Sequence, residues 1–112
     1  MAKRFLVLTD TIGRDDAGLG RVLMRSFLYS LARNEEAPIA VMMMNEGVRL
    51  ACKGSEVIED LRILEEKGVV VRACGTCLDY LGLADQLQVG QVGNMNDSVA
   101  ALAGPDAVVT IA

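Results

Sequence analysis

Two cysteines separated by two residues are the feature of this sequence most able to do chemistry. Cys74 and Cys77 stand in a Cys-Gly-Thr-Cys segment that follows an apolar run, where a strand is expected to give way to a helix. A thiol reacts as its thiolate, and a helix N-terminus favours that anion by about 0.3 to 1 kcal/mol. Asp79, in the first turn of the same helix, opposes this effect through its like charge. The position therefore predicts only mildly activated thiols.

Other residue types limit the chemistry further. The sequence contains no histidine, which excludes Ser-His and Cys-His catalysis within one chain. The third cysteine, Cys52, makes the number of thiols odd, so a closed disulfide framework is not expected. Cys52 is predicted to be a packed thiol, with a resolving role for the cysteine pair as the alternative. A four-thiolate zinc site would need ligands from two subunits, and no metal or other cofactor is predicted.

Composition and charge exclude several classes of partner. The net charge is −4 and the cations are scattered, so the chain lacks the basic stripe that binds nucleic acid. No apolar run approaches the roughly 18 residues of a membrane span, and no signal peptide is recognisable, so a cytoplasmic location without a membrane partner is expected. Apolar residues make up 52% of the chain, and the mean hydropathy of +0.33 is high for a small soluble monomer. A homo-oligomer, either a dimer or a trimer, is therefore predicted.

Apolar runs that alternate with helical patterns must position the cysteine pair. Strands are predicted over residues 5–8, 39–44, 69–73, 89–92 and 107–111. A helix is predicted over residues 17–33, with an aspartate cap and an apolar stripe at Leu19, Leu23, Phe27 and Leu31. Further helices are expected near Ser55, after the cysteine pair, and after Asn94 or Asn96. This alternation predicts one α/β domain over residues 1–112, a five-stranded, mainly parallel, flavodoxin-like sheet with helices on both faces.

Ligands of parallel sheets bind beyond the carboxyl ends of the strands. Applied to this sequence, the rule gathers the two cysteines and the small or polar residues after three strands, namely Asp10, Thr11, Asn45, Gly47, Gly75 and Thr76. Because it lacks a Cβ, Gly75 would let the backbone approach a bound sulfur species or adopt a positive φ. Thr76 would add a hydroxyl donor. The sequence thus predicts a site in which two thiols react and these six residues form the lining.

Several segments of the sequence resemble one known family. They are Thr9-Asp10-Thr11-Ile12-Gly13-Arg14, Leu23-Met24-Arg25-Ser26-Phe27-Leu28, Asn45-Glu46-Gly47-Val48 and Cys74-Gly75-Thr76-Cys77-Leu78-Asp79, the last followed by Gly82-Leu83. Together these segments are similar to the DsrE/DsrF-like domain, and more narrowly to its YedF branch, which is associated with selenium metabolism. The resemblance spans nearly the whole chain.

The resemblance implies a homo-oligomeric, sulfurtransferase-like relay protein in which a cysteine carries a persulfide and passes it on. In sulfur-relay relatives the active cysteine precedes a helix-ending glycine by eight residues, as Cys74 precedes Gly82. Cys74 is therefore the implied carrier, and Cys77 is the second thiol, able to resolve a persulfide or selenide by exchange. A cysteine desulfurase and a TusA-like sulfur-carrier protein are the implied partners. Because YedF-branch proteins usually carry a TusA-like domain ahead of this one, the chain is expected to be standalone or part of a longer protein.

Three other interpretations stay open from the residues alone. In the first, Cys74 and Cys77 only fill the end of the strand as small apolar residues. In the second, the chain is a nonenzymatic oligomeric binding module, whose affinity for its ligand would survive the change of both cysteines to serine. In the third, the chain is a dithiol redox protein that cycles the pair as a disulfide, although the Trp that flanks the cysteines of thioredoxin is missing.

Overall fold

Within residues 2–112, which the computed structural model describes, five short strands form one sheet. They are β1 (Lys3–Val7), β2 (Ala40–Met43), β3 (Val70–Cys74), β4 (Gln91–Gly93) and β5 (Ala107–Ile111). The strands are hydrogen-bonded in the order β4-β3-β2-β1-β5, and each pair of neighbours is parallel. The predicted α/β fold with a five-stranded, mainly parallel sheet is confirmed.

The same residues contain four α-helices, which connect the strands. They are α1 (Leu19–Arg33), α2 (Ile58–Glu66), α3 (Gly75–Tyr80) and α4 (Met95–Leu102). A 3-10 helix over Asp16–Gly18 precedes α1, and a second one over Asn45–Ala51 follows β2. None of the helices in residues 2–112 is both long enough and apolar enough to cross a membrane.

The connections place helices on both faces of the sheet. The chain passes from β1 to β4 in one direction and then crosses to the far edge, where β5 pairs with β1. Right-handed crossovers, which nearly all such connections have, put α1, α2 and α3 on one face and α4 on the other. The strand order differs from the 2-1-3-4-5 order of flavodoxin. The likeness to flavodoxin therefore lies in the layers of the fold and not in the order of the strands.

The main core lies between the sheet and the face that α1 and α2 cover. Alternate strand residues point into it, and α1 and α2 supply large aliphatic side chains that are almost completely buried. These residues include Val7, Val41, Met43, Val71 and Ala73 from the strands and Met24, Leu28, Leu61 and Leu64 from the helices. Full burial of one large aliphatic side chain contributes about 1.5 to 3 kcal/mol to folding. This face of the sheet therefore holds the carboxyl ends of β1, β2 and β3 in a rigid arrangement.

The buried face of α1 differs from the predicted stripe. Residues Gly20, Met24, Leu28 and Ala32 are buried, whereas Leu19 and Leu23 of the predicted stripe are 55% and 42% exposed. Phe27 and Leu31, the rest of the predicted stripe, are partly buried against the core. At Gly20 an added Cβ would lie 2.8 Å from the carbonyl oxygen of Arg14, so glycine allows a close approach at the start of the helix. The buried stripe is therefore centred one residue, or about 100°, from the predicted one. The prediction that Leu19 and Leu23 face the core is therefore wrong.

Side chains that the sequence predicted as caps accept hydrogen bonds from the first turns of both α4 and α1. Asn94 caps α4 as predicted, because its side-chain oxygen accepts a hydrogen bond from the backbone N–H of Asp97 at 2.8 Å. The residue before α1 is Gly18, since the 3-10 turn separates the aspartates from the helix start. Asp15 nevertheless accepts a hydrogen bond from the backbone N–H of Arg21, in the first turn of α1, at 3.0 Å, and a second one from Nε of Arg21 at 2.8 Å. The predicted capping of α1 by an aspartate is therefore confirmed, although Asp15 is not the residue directly before the helix.

Large apolar side chains remain exposed on both sides of the sheet. Helix α4 has no buried residue, and its Met95 and Val99 are each 54% exposed. Val92, on the edge strand β4, is 61% exposed. On the face of the sheet opposite to α4, helix α1 exposes Leu19 and Leu23. The apolar excess of the sequence is therefore found partly at the surface of the single chain.

The rotation of α1 is testable with a matched pair of substitutions. Leu28→Ala should lower the free energy of unfolding by about 2 to 5 kcal/mol, since Leu28 is completely buried and its loss leaves a cavity. Leu23→Ala, on the exposed face, should lower the free energy of unfolding much less. Urea denaturation of both variants at the same protein concentration makes the comparison. Equal losses would contradict the observed orientation of the helix.

Candidate functional site

The cysteine pair lies where β3 runs into α3 without an intervening loop. Cys74 is both the last residue of β3 and the N-cap of α3, and Cys77 lies in the first turn of that helix. The side chain of Cys74 packs into the core and the residue is only 7% exposed, whereas Cys77 is half-buried and packs against the edge of that core. Both cysteines are free thiols. The two thiols are neighbours, but solvent reaches Cys77 more easily.

A backbone amide from a different strand connection points at Cys77. The N–H of Asn45 donates a hydrogen bond to Cys77 Sγ, with 3.0 Å between the two heavy atoms. Asn45 begins the 3-10 helix after β2 and has a φ of 51°. That left-handed conformation is unfavourable for most residues, and asparagine is one of the few that tolerate it. The residue type at this position therefore suits the backbone geometry that delivers the amide to the sulfur.

Gly47 holds the turn that carries this amide close to β1. A Cβ added at Gly47 would lie 2.3 Å from the carbonyl oxygen of Val7, so only glycine fits there. The same carbonyl oxygen accepts a hydrogen bond from the N–H of Met44 at 3.0 Å, and Gly47 N–H donates to Met44 at 2.9 Å. These contacts join the ends of β1 and β2 at Met44, the residue that precedes the Asn45 amide facing Cys77.

The protonation of Cys77 depends on opposing effects. Burial raises the pKa of its thiol, the hydrogen bond from the Asn45 amide lowers it, and the neighbouring thiol of Cys74 raises it again. The net effect is a pKa above the ordinary value of a cysteine. Cys77 is thus protonated in the resting protein at neutral pH. The amide is the contact that favours the thiolate when the proton leaves.

The glycine and the threonine between the cysteines have different surroundings. A Cβ added at Gly75 would meet Val92 Cγ1 at 3.0 Å and the carbonyl oxygen of Gly93 at 3.2 Å. The glycine therefore allows α3 to start close against β4, and its φ is not in the left-handed region. Thr76 is exposed beside the thiols.

The remaining predicted residues, Asp10 and Thr11, form no hydrogen bond with the cysteine pair within residues 2–112. The hydroxyl of Thr11 donates to the carbonyl oxygen of Gly13 at 2.8 Å and so stabilises its own loop. Asp10 lines a separate cavity of about 310 Å³, which the cysteine pair does not line. The structure therefore brings together Asn45, Cys74 and Cys77 and places Asp10 elsewhere on the carboxyl edge.

The separate cavity is lined by residues that the sequence did not single out as a group. Its cations are Arg21, Arg25, Arg49 and Lys53. The three arginines form ion pairs with Asp15, Glu56 and Glu46, respectively. Because these cations come from α1, the second 3-10 helix and the following loop, no local sequence pattern could have grouped them.

Cys52 lies in the wall of that cavity as a packed thiol. The residue is 2% exposed, and its Sγ donates a hydrogen bond to the carbonyl oxygen of Val48 at 3.3 Å. Burial raises the pKa of the Cys52 thiol, and the nearby Arg49 only partly offsets that effect. Cys52 is therefore a neutral, buried thiol. Within residues 2–112, no three His, Cys, Asp or Glu side chains are grouped closely enough to hold a metal ion.

Fold and site together define a class of protein, a small all-parallel α/β domain whose third strand ends in one free cysteine and leads directly into a helix that carries a second. The chain belongs to the DsrE/DsrF-like family, whose family model matches residues 8–111. This family is associated with sulfur relay. A search of curated proteins found no significant match.

Solved structures with the same fold include three bacterial and archaeal proteins. The crystal structure of the YchN protein from E. coli has a TM-score of 0.73 and 21% identity, and the match covers 99% of this chain and 100% of YchN. MTH1491 from Methanobacterium thermoautotrophicum has a TM-score of 0.69 and 24% identity, with 97% of each chain covered. BT1422 from Bacteroides thetaiotaomicron has a TM-score of 0.65 and 18% identity, with 96% of this chain and 94% of BT1422 covered. These similarities establish the fold.

The role of the Asn45 amide is testable by measuring how the alkylation of Cys77 depends on pH. In the native chain the rate should rise through a pKa above the ordinary cysteine value. Asn45→Val should raise that pKa further and slow alkylation at every lower pH, because a β-branched residue resists the left-handed conformation. Asn45→Gly, which keeps both the N–H and the conformation, is the matched control and should behave as the native chain. The same pKa in all three proteins, measured by mass spectrometry of the Cys77 peptide, would contradict this role.

Proposed function

We propose that the protein is a sulfur relay protein that holds a sulfane sulfur as a persulfide on its cysteine pair and passes it to an acceptor. The observation that supports this most directly is the hydrogen bond from the Asn45 amide to Cys77 Sγ, beside the second thiol of Cys74. An amide aimed at a sulfur atom stabilises negative charge there, as the exchange of sulfur between thiols requires. Membership of a family associated with sulfur relay points to the same chemistry.

The transfer needs only thiol exchange. A cysteine thiolate attacks the outer sulfur of a donor persulfide, a new S–S bond forms, the S–S bond of the donor breaks, and the donor thiolate leaves and takes up a proton. In our proposal Cys74 holds the sulfur, in agreement with its spacing to Gly82. An acceptor thiol removes the sulfur by the same reaction. Alternatively, Cys77 attacks the inner sulfur, closing a disulfide with Cys74 and releasing hydrosulfide.

A dithiol redox protein is the second candidate function, because Cys74 and Cys77 are neighbours and the thiol of Cys74 raises the pKa of Cys77. Such a protein would cycle the pair between the dithiol and the disulfide without carrying extra sulfur. The two candidates differ in mass, since only the relay adds a sulfur atom to the chain.

We further propose that a cysteine desulfurase supplies the sulfur and that a TusA-like carrier protein receives it. The cargo is sulfur or, if the chain follows the YedF branch, selenium. The half-buried position of Cys77 near the surface is compatible with a protein partner that presents its own persulfide. A nonenzymatic binding module would need neither thiol.

Intact-protein mass spectrometry after incubation with a cysteine desulfurase and cysteine tests the proposed function. The native chain should gain about the mass of one sulfur atom, and the gain should disappear on treatment with a reductant. Cys52→Ser is the matched control and should load normally, since Cys52 is 2% exposed and lines a cavity that the cysteine pair does not line. The double change Cys74→Ser and Cys77→Ser should abolish loading. An unmodified native chain would overturn the proposal, and a mass loss of two hydrogens without added sulfur would favour the redox candidate.

We also propose that the chain forms a dimer or trimer that covers its exposed apolar side chains. The exposed apolar residues of α4 and of the outer face of α1 support this, because large exposed apolar patches mark contacts between proteins. Sedimentation velocity at micromolar concentration should give a dimer or trimer. A monodisperse monomer under those conditions would contradict the proposal.

A further inference from the structure

The two cysteines differ in a way that assigns them an order of reaction. Cys74 belongs to the buried core and is 7% exposed, whereas Cys77 is half-buried at the edge of that core. A donor persulfide on another protein must approach the attacking sulfur closely enough to form an S–S bond. Cys77 is the more accessible of the two sulfurs, whereas Cys74 must first be uncovered.

The hydrogen bond from a backbone amide to Cys77 makes the same distinction. The N–H of Asn45 points at Cys77 Sγ at 3.0 Å, and its position is fixed by the left-handed φ of Asn45 and by the contact of Gly47 with Val7. A preorganised donor stabilises charge at the atom it faces without the cost of rearrangement during the reaction. The donor is therefore placed for an attack by Cys77.

We propose that Cys77 is the entry nucleophile, that Cys74 is the protected store, and that the Asn45–Gly47 turn is the positioning device for the first step. This order rests on the proposed sulfur relay and refines it. In the first step the Cys77 thiolate takes the outer sulfur of the donor, whose thiolate leaves. In the second step the Cys74 sulfur attacks that outer sulfur, the bond from it to Cys77 Sγ breaks, and the proton of the Cys74 thiol passes to Cys77. No oxidant or reductant is consumed, because one S–S bond replaces another in each step.

Storage on Cys74 has a physical advantage. A persulfide on an exposed cysteine is open to any thiol in solution, which would remove its outer sulfur by exchange. A persulfide on Cys74 is shielded by the core residues around the end of β3. Release would follow the reverse path, through Cys77 to the acceptor.

Rapid-quench loading with a desulfurase and cysteine, followed by peptide mapping of the alkylated persulfides, tests this order. In the native chain, label should appear first on Cys77 and later on Cys74. Cys74→Ser should trap the label on Cys77 at close to the native loading rate. Cys77→Ser should load Cys74 at least ten times more slowly, and Cys52→Ser should load as the native chain does.

Two further outcomes separate the inference from the proposed function. If Cys77→Ser loads Cys74 at the native rate, the order is overturned while the sulfur relay stands. If the native chain takes up no label, the sulfur relay itself fails. Asn45→Val should slow the appearance of label on Cys77 and move its pH profile to higher pH, and Asn45→Gly should do neither. A merely structural role for the turn would change the melting temperature without moving the pH profile, and that result would overturn the positioning role.

Discussion

The hydrogen bond from the Asn45 amide to Cys77 Sγ is the constraint on which the rest of the site depends. It joins the end of β2 to the start of α3, and the contact of Gly47 with Val7 fastens the same turn to β1. Three neighbouring parallel strands are needed to bring these groups together, since the residues are far apart in the chain. The sheet therefore serves as the rigid support that aims one amide at one sulfur.

Burial and reactivity oppose each other at this pair of thiols. The core that protects Cys74 also raises the pKa of Cys77, because an anion is costly in an apolar environment. The Asn45 amide offsets part of that cost without adding a positive charge. Such a site keeps its thiol protonated at rest and supports the thiolate only where the amide reaches. This balance is compatible with the proposed carrier, which would hold sulfur without reacting with every thiol it meets.

Much of the fold could be predicted because buried parallel strands have continuous apolar sequences, and these runs alternate with helical patterns here. The position of the cysteine pair at the junction of β3 and α3 could also be predicted, since the apolar run and the residues that follow it are local features. The exact face of α1 could not, because two apolar stripes lie one residue apart and the sequence pattern does not show that Gly20 packs closely against Arg14. The role of Asn45 was hidden for a similar reason. A backbone amide has no signature in the sequence, and its direction depends on contacts with a distant strand.

The most direct test of the account is a pH titration of the Asn45 backbone amide by NMR in the native chain. If this amide donates to Cys77 Sγ, its proton and nitrogen shifts should change strongly as Cys77 ionises, with the same midpoint as the alkylation of Cys77. The change should vanish when Cys77 is replaced by serine. An Asn45 amide whose shifts do not follow the ionisation of Cys77, and which exchanges with solvent as fast as an exposed loop amide, would contradict the account.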